Sequence, residues 1–374
     1  MKKALIVASV FGFLGSFERG DIRILQEQGY QVFCAANGKK ELGAFGDTGQ
    51  LDDLPIIKCQ VDFVRSPFSK SNIRAFRQLK QLMKDQPFDL VHCHTPIGGF
   101  LARLVAKRYR KNGTKVIYTV HGFHFYKEAP FMHWLLYYPA EWLMARYTDV
   151  LITINREDYT RAQKFQAKQV EYVPGVGIDL HRFSAEGEKS DIRIKLGIPQ
   201  NAVLLLSVGE LIPRKNHQAI ICALASLKDE NFHYVVIGEG PERENLASLI
   251  ARLSLEARVH LPGYRKDMPP IYRAADLFCL PSRREGLCVA LMEAMASGLP
   301  CVASDIRGNR DLIISGKGGY LFDLSQIDSA ASAIDAIVLD LPLKKAMRAF
   351  NQEFVRGFSV EVVAEQMRRI YREI

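Results

Sequence analysis

Residues 281–300 read PSRREGLCVALMEAMASGLP, and this stretch is the most informative part of the chain. The apolar run 275–280 just before it is typical of a buried strand. The segment 286–297 is rich in Ala, Leu and Met and is closed by Gly298 and Pro300, which predicts a helix. A helix that begins where a strand ends presents free backbone N–H groups, so the pattern predicts an anion site.

Two carboxylates, Glu285 and Glu293, are eight residues apart in this stretch. In a continuous helix, eight residues correspond to about 12 Å and about 80° of rotation, so the two groups would not form a close pair. A retaining glycosidase needs two carboxyls about 5 Å apart, and the spacing argues against that class. It suits two contacts on one elongated ligand, such as the two ends of a nucleotide sugar.

Short apolar runs alternate with helical patterns along the whole chain, which predicts parallel sheets covered on both faces. Two such series meet near residues 173–179, so we expect two doubly wound α/β domains with a cleft between them. Strands are predicted at 4–10, 31–36, 89–92, 115–120, 149–154, 202–208, 233–237, 258–261, 276–280, 300–303 and 319–322.

Composition narrows the class of protein. The 374 residues include seven cysteines without a C-x-x-C pair, which predicts free thiols in a reducing compartment, most simply the cytoplasm. No apolar run reaches the roughly 18 residues of a membrane span. The apolar stretch after Met1 is short and continues into Gly12 and Gly15, so we interpret it as a first strand and its turn rather than a signal peptide.

The formal net charge of +9 indicates attraction to polyanions, for which nucleic acid, an anionic membrane and a phosphate-bearing substrate are candidates. Basic side chains cluster on two predicted helices, and each cluster fits either a membrane surface or a solvated outer helix. The first cluster is Arg74, Arg77, Lys80 and Lys84, and the second is Arg103, Lys107, Arg108, Arg110, Lys111 and Lys115.

Several nucleotide-binding classes are disfavoured by their missing motifs. The run Gly238-Glu239-Gly240 follows a predicted strand, but Arg243 occupies the third glycine position of a dinucleotide fingerprint. A Walker A sequence does not occur, and neither does an Asp-x-Asp triplet that would hold a divalent metal. We therefore expect neither a resident cofactor nor a bound metal.

With Gly-Leu after the first Glu, and with ASGLP and CVASDIRGN following, the stretch resembles the E-x7-E signature of the retaining glycosyltransferases of family 4. The resemblance covers nearly the whole chain and is strongest over 202–322. It implies a GT-B fold, in which two Rossmann-like domains face a central cleft. Residues 1–177 would form the acceptor domain, 178–357 the nucleotide-sugar donor domain, and a terminal helix, 358–374, would cross back to the first.

The resemblance also implies roles for single residues of the donor domain. Glu285 would contact hydroxyls of the donor sugar, and Glu293 would hold the ribose hydroxyls. Lys215 matches the family's lysine at the donor diphosphate. Glu210 stands where the family usually has an arginine, and Arg214 is the expected substitute. The remaining donor-site residues are Gly286 and Leu287 near the sugar and phosphates, and Tyr264 and Arg265 near the base.

In the first half, His121 within TVHGFH matches the family histidine beside the donor sugar, and we expect it to contact a sugar hydroxyl. Gly12 and Gly15 match a glycine-rich loop that approaches the donor, although ordinary turn glycines explain them equally well. His92 and His94 share one strand face but lack a third ligand, so we interpret them as structural rather than as a metal site.

The resulting expectation is a metal-independent enzyme that moves a hexose or N-acetylhexosamine from a UDP-sugar with retention. Its acceptor would be a polyprenyl-diphosphate-linked glycan at the inner membrane face, in capsule or exopolysaccharide assembly. Aromatic segments 123–126 and 131–147 would contact that acceptor, although a buried helix is the slightly favoured interpretation. A nucleotide-sugar epimerase or hydrolase of the same fold is one alternative, and a nucleic-acid-binding protein, suggested by charge alone, is the other.

Overall fold

The computed structural model describes residues 1–39, 42, 46–64, 66–184, 186–227, 229 and 231–374. The chain divides into two compact units, one of residues 1–176 with 361–374 and one of residues 177–360. Each unit contains one parallel sheet whose strands are connected through helices. The predicted architecture of two doubly wound α/β domains is confirmed.

The first unit contains a seven-stranded sheet of order β3-β2-β1-β4-β5-β6-β7. The edge strands β3 and β7 were not predicted, because their residues are only partly buried and form no continuous apolar run. The strands are β1 (Lys2–Val10), β2 (Tyr30–Asn37), β3 (Ile56–Gln60), β4 (Leu90–His94), β5 (Lys115–Val120), β6 (Val150–Thr153) and β7 (Gln169–Tyr172).

The second unit contains a six-stranded sheet of order β10-β9-β8-β11-β12-β13. The order reverses direction between β8 and β11, as it does between β1 and β4 in the first sheet, and ligands of such sheets bind at the carboxyl ends of these strands. The strands are β8 (Val203–Val208), β9 (Phe232–Ile237), β10 (Val259–Gly263), β11 (Leu277–Leu280), β12 (Cys301–Ser304) and β13 (Gly319–Phe322).

Helices connect the strands in both units. The helix α14 was not predicted, because its proline at the second position suggests a helix end, whereas here it lies in a first turn capped by Asp340, whose carboxylate accepts from Leu343 N at 2.9 Å. The helices are α1 (Phe11–Phe17), α2 (Arg19–Glu27), α3 (Ser71–Asp85), α4 (Pro96–Ala106), α5 (Phe131–Ala145), α6 (Arg156–Ala162), α7 (Ile192–Lys195), α8 (Gln218–Ser226), α9 (Arg243–Arg252), α10 (Pro269–Ala274), α11 (Val289–Ala296), α12 (Asn309–Leu312), α13 (Ile327–Val338), α14 (Leu341–Phe354) and α15 (Val360–Glu373).

The terminal helix α15 packs on the first unit. Its apolar residues at helical spacing, Val363, Met367, Ile370 and Tyr371, are buried in the same core as α1, α2 and one face of β1. Burying three or four such side chains contributes several kcal/mol, at about 1.5–3 kcal/mol each. The expected return of the last helix to the first domain is confirmed.

Helices α3, α4 and α5 cover the other face of the same sheet. Their inward residues, including Leu79, Val105 and Ala145, belong to one core together with Val91 and Cys93 of β4. Because side chains alternate along a strand, His92 and His94 point to the opposite face from Cys93. This alternation places both histidines on the side of α1, α2 and α15.

Candidate functional site

In the second unit, two loops follow the neighbouring strands β8 and β11, at the point where the strand order reverses. They are residues 209–217 and 281–288. Arg283 N donates to Arg214 O at 2.8 Å, and Asn216 Nδ2 donates to Pro281 O at 3.1 Å. Asn216 has a φ of 55°, a left-handed conformation that asparagine tolerates better than most residues. The two loops therefore hold each other in one arrangement.

Three predicted site residues meet in these loops. Lys215 Nζ donates to Glu285 Oε1 at 2.9 Å, and Arg214 Nη1 lies 3.2 Å from both carboxylate oxygens of Glu285. The side chains of Glu285 and Lys215 are 9% and 11% exposed, and that of Arg214 is 35% exposed. We call Arg214, Lys215 and Glu285 the ion cluster. It combines two cations with one carboxylate, so it retains positive charge for an incoming anion.

The electrostatics of the ion cluster keep its groups charged. Burial raises the pKa of the Glu285 carboxyl, but Lys215 and Arg214 outweigh this and bring the pKa below its usual value. Burial lowers the pKa of the Lys215 ammonium, whereas Cys288 and Glu285 raise it, with a net shift upward. At neutral pH the pair is therefore an ionised contact in a site largely shielded from water.

The predicted helix start at Gly286 is wrong. Helix α11 begins at Val289, and Gly286 and Leu287 lie in the loop before it. The ion cluster holds Glu285 in the loop, and Gly308 packs on this loop so closely that a Cβ there would lie 2.2 Å from the carbonyl oxygen of Gly286. The separation of Glu285 from Glu293 is therefore not set by helical geometry.

Glu293 lies on α11 and is partly buried. The hydroxyl of Tyr272, a buried residue of α10, donates to Glu293 Oε2 at 2.7 Å. Burial raises the pKa of Glu293, although Tyr272 and the charge of Arg182 oppose the shift. Tyr272 thus fixes the orientation of the carboxylate. Tyr272 was not predicted as a site residue, because neither its position in the sequence nor its residue type distinguishes it from a core tyrosine.

Close packing explains the glycine pair that resembles part of a dinucleotide fingerprint. A Cβ at Gly238 would lie 2.0 Å from the carbonyl oxygen of Gly209, and one at Gly240 would lie 2.4 Å from that of Leu211. The loop after β9 therefore supports the loop that carries Lys215. Two further predicted donor residues, Tyr264 and Arg265, follow β10 directly, and their side chains are exposed. The side chain of Glu210, at the position where an arginine was expected, is also exposed.

In the first unit, the expected glycine-rich loop is a helix. Gly12 and Gly15 lie in α1, which follows β1 without a turn, so both the loop interpretation and the turn interpretation are wrong. A Cβ at Gly15 would lie 2.4 Å from Gln50 Oε1, so this glycine allows the helix and Gln50 to pack closely.

His121 follows β5 and lies at the carboxyl edge of the sheet, where β1 and β4 also end. Its side chain is 22% exposed and packs edge-on against Phe13, with 4.9 Å between ring centroids. His121 Nε2 lies 3.2 Å from His94 Nδ1. The two histidines, predicted separately, are therefore neighbours.

The prediction that His92 and His94 lack a third potential ligand is wrong. Asp21 lies 3.6 Å from His92 Nδ1, and Glu18 lies 3.3 Å from His94 Nδ1. Both acids come from the segment after β1, more than 70 residues away in sequence, so no local spacing could reveal them.

Burial dominates the titration of these groups. It lowers the pKa of His92 to about 3 and that of His94 well below its usual value, with His121 adding to both effects. Burial and the neighbouring Glu18 raise the pKa of Asp21 well above its usual value. At neutral pH, His92 and His94 are therefore neutral imidazoles.

Comparison with known proteins identifies the family. The family described as "Glycosyl transferases group 1" matches residues 188–354, and "Glycosyl transferase 4-like" matches residues 15–155. A Bacillus subtilis protein described as "Putative glycosyltransferase EpsD" is 35% identical over 99% of this chain and 96% of its own length. The chain belongs to the family 4 glycosyltransferases.

Two further comparisons are informative. This glycosyltransferase is 30% identical, over 80% of its chain and 79% of the relative, to the Escherichia coli UDP-Gal:alpha-D-GlcNAc-diphosphoundecaprenol alpha-1,3-galactosyltransferase. The crystal structure of Anabaena HepE with UDP and glucose superimposes with a TM-score of 0.80 at 20% identity, covering 100% of both chains. The fold expected from the E-x7-E resemblance, GT-B, is confirmed.

A membrane-spanning segment is not found in this glycosyltransferase, since the helices that the structure describes lack the necessary combination of length and hydropathy. Each of its seven cysteines is a free thiol. Apart from Glu293, which lies on α11, the predicted donor residues of the second unit lie in loops that follow β8, β10 and β11 at one edge of the sheet. His121 belongs to the first unit.

Proposed function

We propose that this glycosyltransferase transfers a hexose or N-acetylhexosamine from a UDP-sugar, with retention and without a divalent metal. The observation that carries the proposal is the ion cluster of Arg214, Lys215 and Glu285 at the carboxyl edge of the second sheet. A departing nucleoside diphosphate develops negative charge, and fixed cations in a shielded site stabilise it without reorganisation. The UDP bound to the structurally similar HepE supports uracil as the base.

In this scheme, Lys215 and Arg214 contact the diphosphate and Glu285 contacts a hydroxyl of the donor sugar. Glu293 accepts the ribose hydroxyls, while His121 contacts the sugar from the first unit. Because Glu285 is already engaged by two cations, it is a poor nucleophile, which favours front-face attack with the leaving phosphate taking the acceptor proton. A glycosyl adduct on Glu285, detected by mass spectrometry, would overturn this mechanism.

Nucleotide selectivity is the first test of the proposed function. Calorimetric titration of wild-type protein in the presence of a chelator is expected to show binding of UDP at least 10-fold tighter than GDP or ADP. Binding to GDP instead would retain the enzyme class and refute the proposed donor. No binding of any nucleotide by folded protein would refute the proposed function. A strict need for manganese or magnesium would refute metal independence.

We further propose that the acceptor is a polyprenyl-diphosphate-linked glycan of surface polysaccharide synthesis, used at the inner face of the membrane. The name of the E. coli relative describes such a lipid-linked acceptor. The seven free cysteines are typical of a protein in a reducing compartment, which supports this location.

Helix α5 provides an apolar surface for such an acceptor. The buried-helix interpretation of segment 131–147 is wrong, because Phe131, Met132 and Leu135 are 76%, 64% and 59% exposed. By contrast, Phe123 and Phe125 are buried core residues. An exposed apolar face on one helix is typical of contact with lipid or with a partner.

The two basic clusters differ in the structure. Arg74, Arg77, Lys80 and Lys84 are exposed on α3, which covers the same sheet face as α5. In the second cluster, Arg103 is fully buried and paired with Glu141 at 2.7 Å, and Arg110 is paired with Asp149 at 2.7 Å. In the α3 cluster, Arg74 is also paired, with Asp62 at 2.9 Å. Arg77, Lys80 and Lys84 therefore provide exposed positive charge on the helix layer to which α5 also belongs.

We expect the wild-type protein to sediment with liposomes that contain anionic lipid and to dissociate as salt is raised. Leu135→Asp should weaken this binding at least 10-fold, because it places a charge in the apolar face of α5. Leu339→Asp, at an 83% exposed leucine of the second unit, is the matched control and should change little. Equal binding by the two variants, or none by wild type, would contradict the membrane proposal.

A further inference from the structure

We propose that Glu18, His94 and His121 form a binding site for one Zn²⁺ ion in the first unit. Three potential ligand atoms lie close together: His94 Nδ1 and His121 Nε2 are 3.2 Å apart, and Glu18 Oε1 lies 3.3 Å from the former and 3.4 Å from the latter. The three atoms therefore form a nearly equilateral triangle. We call these three residues the histidine–carboxylate triad.

The dimensions of this triangle match tetrahedral zinc. With Zn–N and Zn–O distances of about 2.0–2.1 Å, the ligand atoms of a tetrahedral site are roughly 3.3–3.4 Å apart, whereas ligands at right angles around the same ion would be about 2.9 Å apart. An ion bound to the triad would need shifts of only about 0.1–0.2 Å and would leave its fourth position open. Two imidazoles and a carboxylate are also ligands that zinc accepts.

An independent observation is that the triad contains unsatisfied buried polar atoms. Glu18 is 3% exposed, and its Oε1 has no hydrogen-bond partner among the described residues. Leaving a buried carboxylate oxygen unpaired is costly, at about 1–3 kcal/mol or more. A cation at the centre of the triangle would satisfy this oxygen and both ring nitrogens together.

The neighbouring residues support the triad rather than extend it. His92 already uses both ring nitrogens, with Tyr371 Oη at 2.7 Å from Nδ1 and Thr119 Oγ1 at 2.8 Å from Nε2. It is therefore not available as a ligand, and its ring packs against that of His94 at an interplanar angle of 42°, with 4.1 Å between centroids. Glu18 lies between α1 and α2, His94 ends β4 and His121 follows β5, so regular elements position all three residues. Such fixed side chains favour binding, because little ordering is required.

Zinc binding by the triad does not depend on the proposed function, but its consequence does. If His121 contacts the donor sugar, an ion on His121 Nε2 removes that contact. Micromolar zinc is then expected to inhibit a transfer reaction that itself needs no metal. The metal-binding measurement therefore tests the zinc site alone, whereas the inhibition measurement also tests the proposed function.

The test uses untagged full-length protein freed of metal with a chelator. Calorimetry should give one Zn²⁺ per chain, and Co²⁺ added instead should give the intense visible absorption of tetrahedral cobalt. Glu18→Gln, which keeps the side-chain shape, and His121→Ala should each weaken binding at least 100-fold. Circular dichroism checks that both variants remain folded.

The control variant removes the other close histidine pair. In the second unit, His233 Nδ1 and His260 Nε2 are 3.3 Å apart, and no acidic third ligand accompanies them in the part of the chain that the structure describes. His260→Ala should leave zinc binding unchanged. No zinc or cobalt binding by wild type, unchanged binding in Glu18→Gln and His121→Ala, or loss in His260→Ala would each overturn the proposed site.

Discussion

Replacement of Lys215 by Met is expected to lower kcat about 1,000-fold while the fold persists. The ammonium lies 2.9 Å from Glu285 Oε1, is largely shielded from water and is proposed to face the departing diphosphate. Removing one such fixed charge from a catalytic site costs about 10²–10³ in kcat. The measurement is the rate of UDP release from the UDP-sugar that the wild type uses, together with the Kd of UDP, which should change less than the rate.

The same substitution leaves Glu285 with Arg214 as its remaining cation in the ion cluster, so stability must be measured separately. Breaking a buried ion pair by removing one partner costs about 3–5 kcal/mol. The double variant Lys215→Met/Glu285→Gln removes both charges and should recover most of this stability without recovering activity. If the double variant regains activity, Lys215 serves only to neutralise Glu285, and the proposed role at the diphosphate is wrong.

A pH profile adds a second readout for the ion cluster. In the wild type, Lys215 and Arg214 hold the pKa of Glu285 below its usual value, so the carboxylate stays ionised down to acidic pH. With Lys215 gone, burial raises this pKa, and the acidic limb of kcat/KM should move to higher pH. Lys195→Met, at a lysine 68% exposed in the same unit, is the matched control and should leave both rate and profile unchanged.

The fold was largely predictable because its strands are buried on both faces. Runs such as β5 and β13 are short, apolar and bounded by turn residues, and the predicted bounds match the structure at both. The edge strands β3 and β7 were not predicted, because their side chains are only partly buried and the sequence therefore contains no continuous apolar run there. Helix bounds failed where a contact from elsewhere in the chain overrides local propensity, as the ion cluster does before α11.

The site was predictable only where residues lie close to a motif. Lys215, Arg214 and Glu285 were expected near one ligand, and the structure brings them into direct contact. Glu18 and Tyr272 were missed, because each acts through a partner far away in sequence: Glu18 beside His94, and Tyr272 on Glu293. Resemblance to a family points to ligand contacts, but the side chains that orient those contacts emerge only from the fold.

Glu293→Ala is expected to weaken UDP binding about 100-fold. In the proposed site its carboxylate accepts the two ribose hydroxyls, and charge-assisted hydrogen bonds of this kind contribute about 1.5–3 kcal/mol. Tyr272 donates to Oε2 at 2.7 Å and fixes the carboxylate, so Tyr272→Phe should produce a smaller loss, about 3- to 10-fold. Calorimetry with UDP measures both effects, and Glu353→Ala, at a glutamate 75% exposed on α14, is the matched control.

Titration with 2′-deoxy-UDP separates a ribose contact from a general loss of structure. Wild-type protein should bind the deoxy nucleotide at least 10-fold more weakly than UDP, because the 2′-hydroxyl that donates a hydrogen bond to Glu293 is missing. The Glu293→Ala variant should bind the two nucleotides equally, since the group that distinguishes them is gone. If the variant still prefers UDP, another residue recognises the 2′-hydroxyl, and the role assigned to Glu293 is wrong. If the variant binds both nucleotides more weakly by the same factor and keeps the wild-type preference, Glu293 instead has a structural role in maintaining α11.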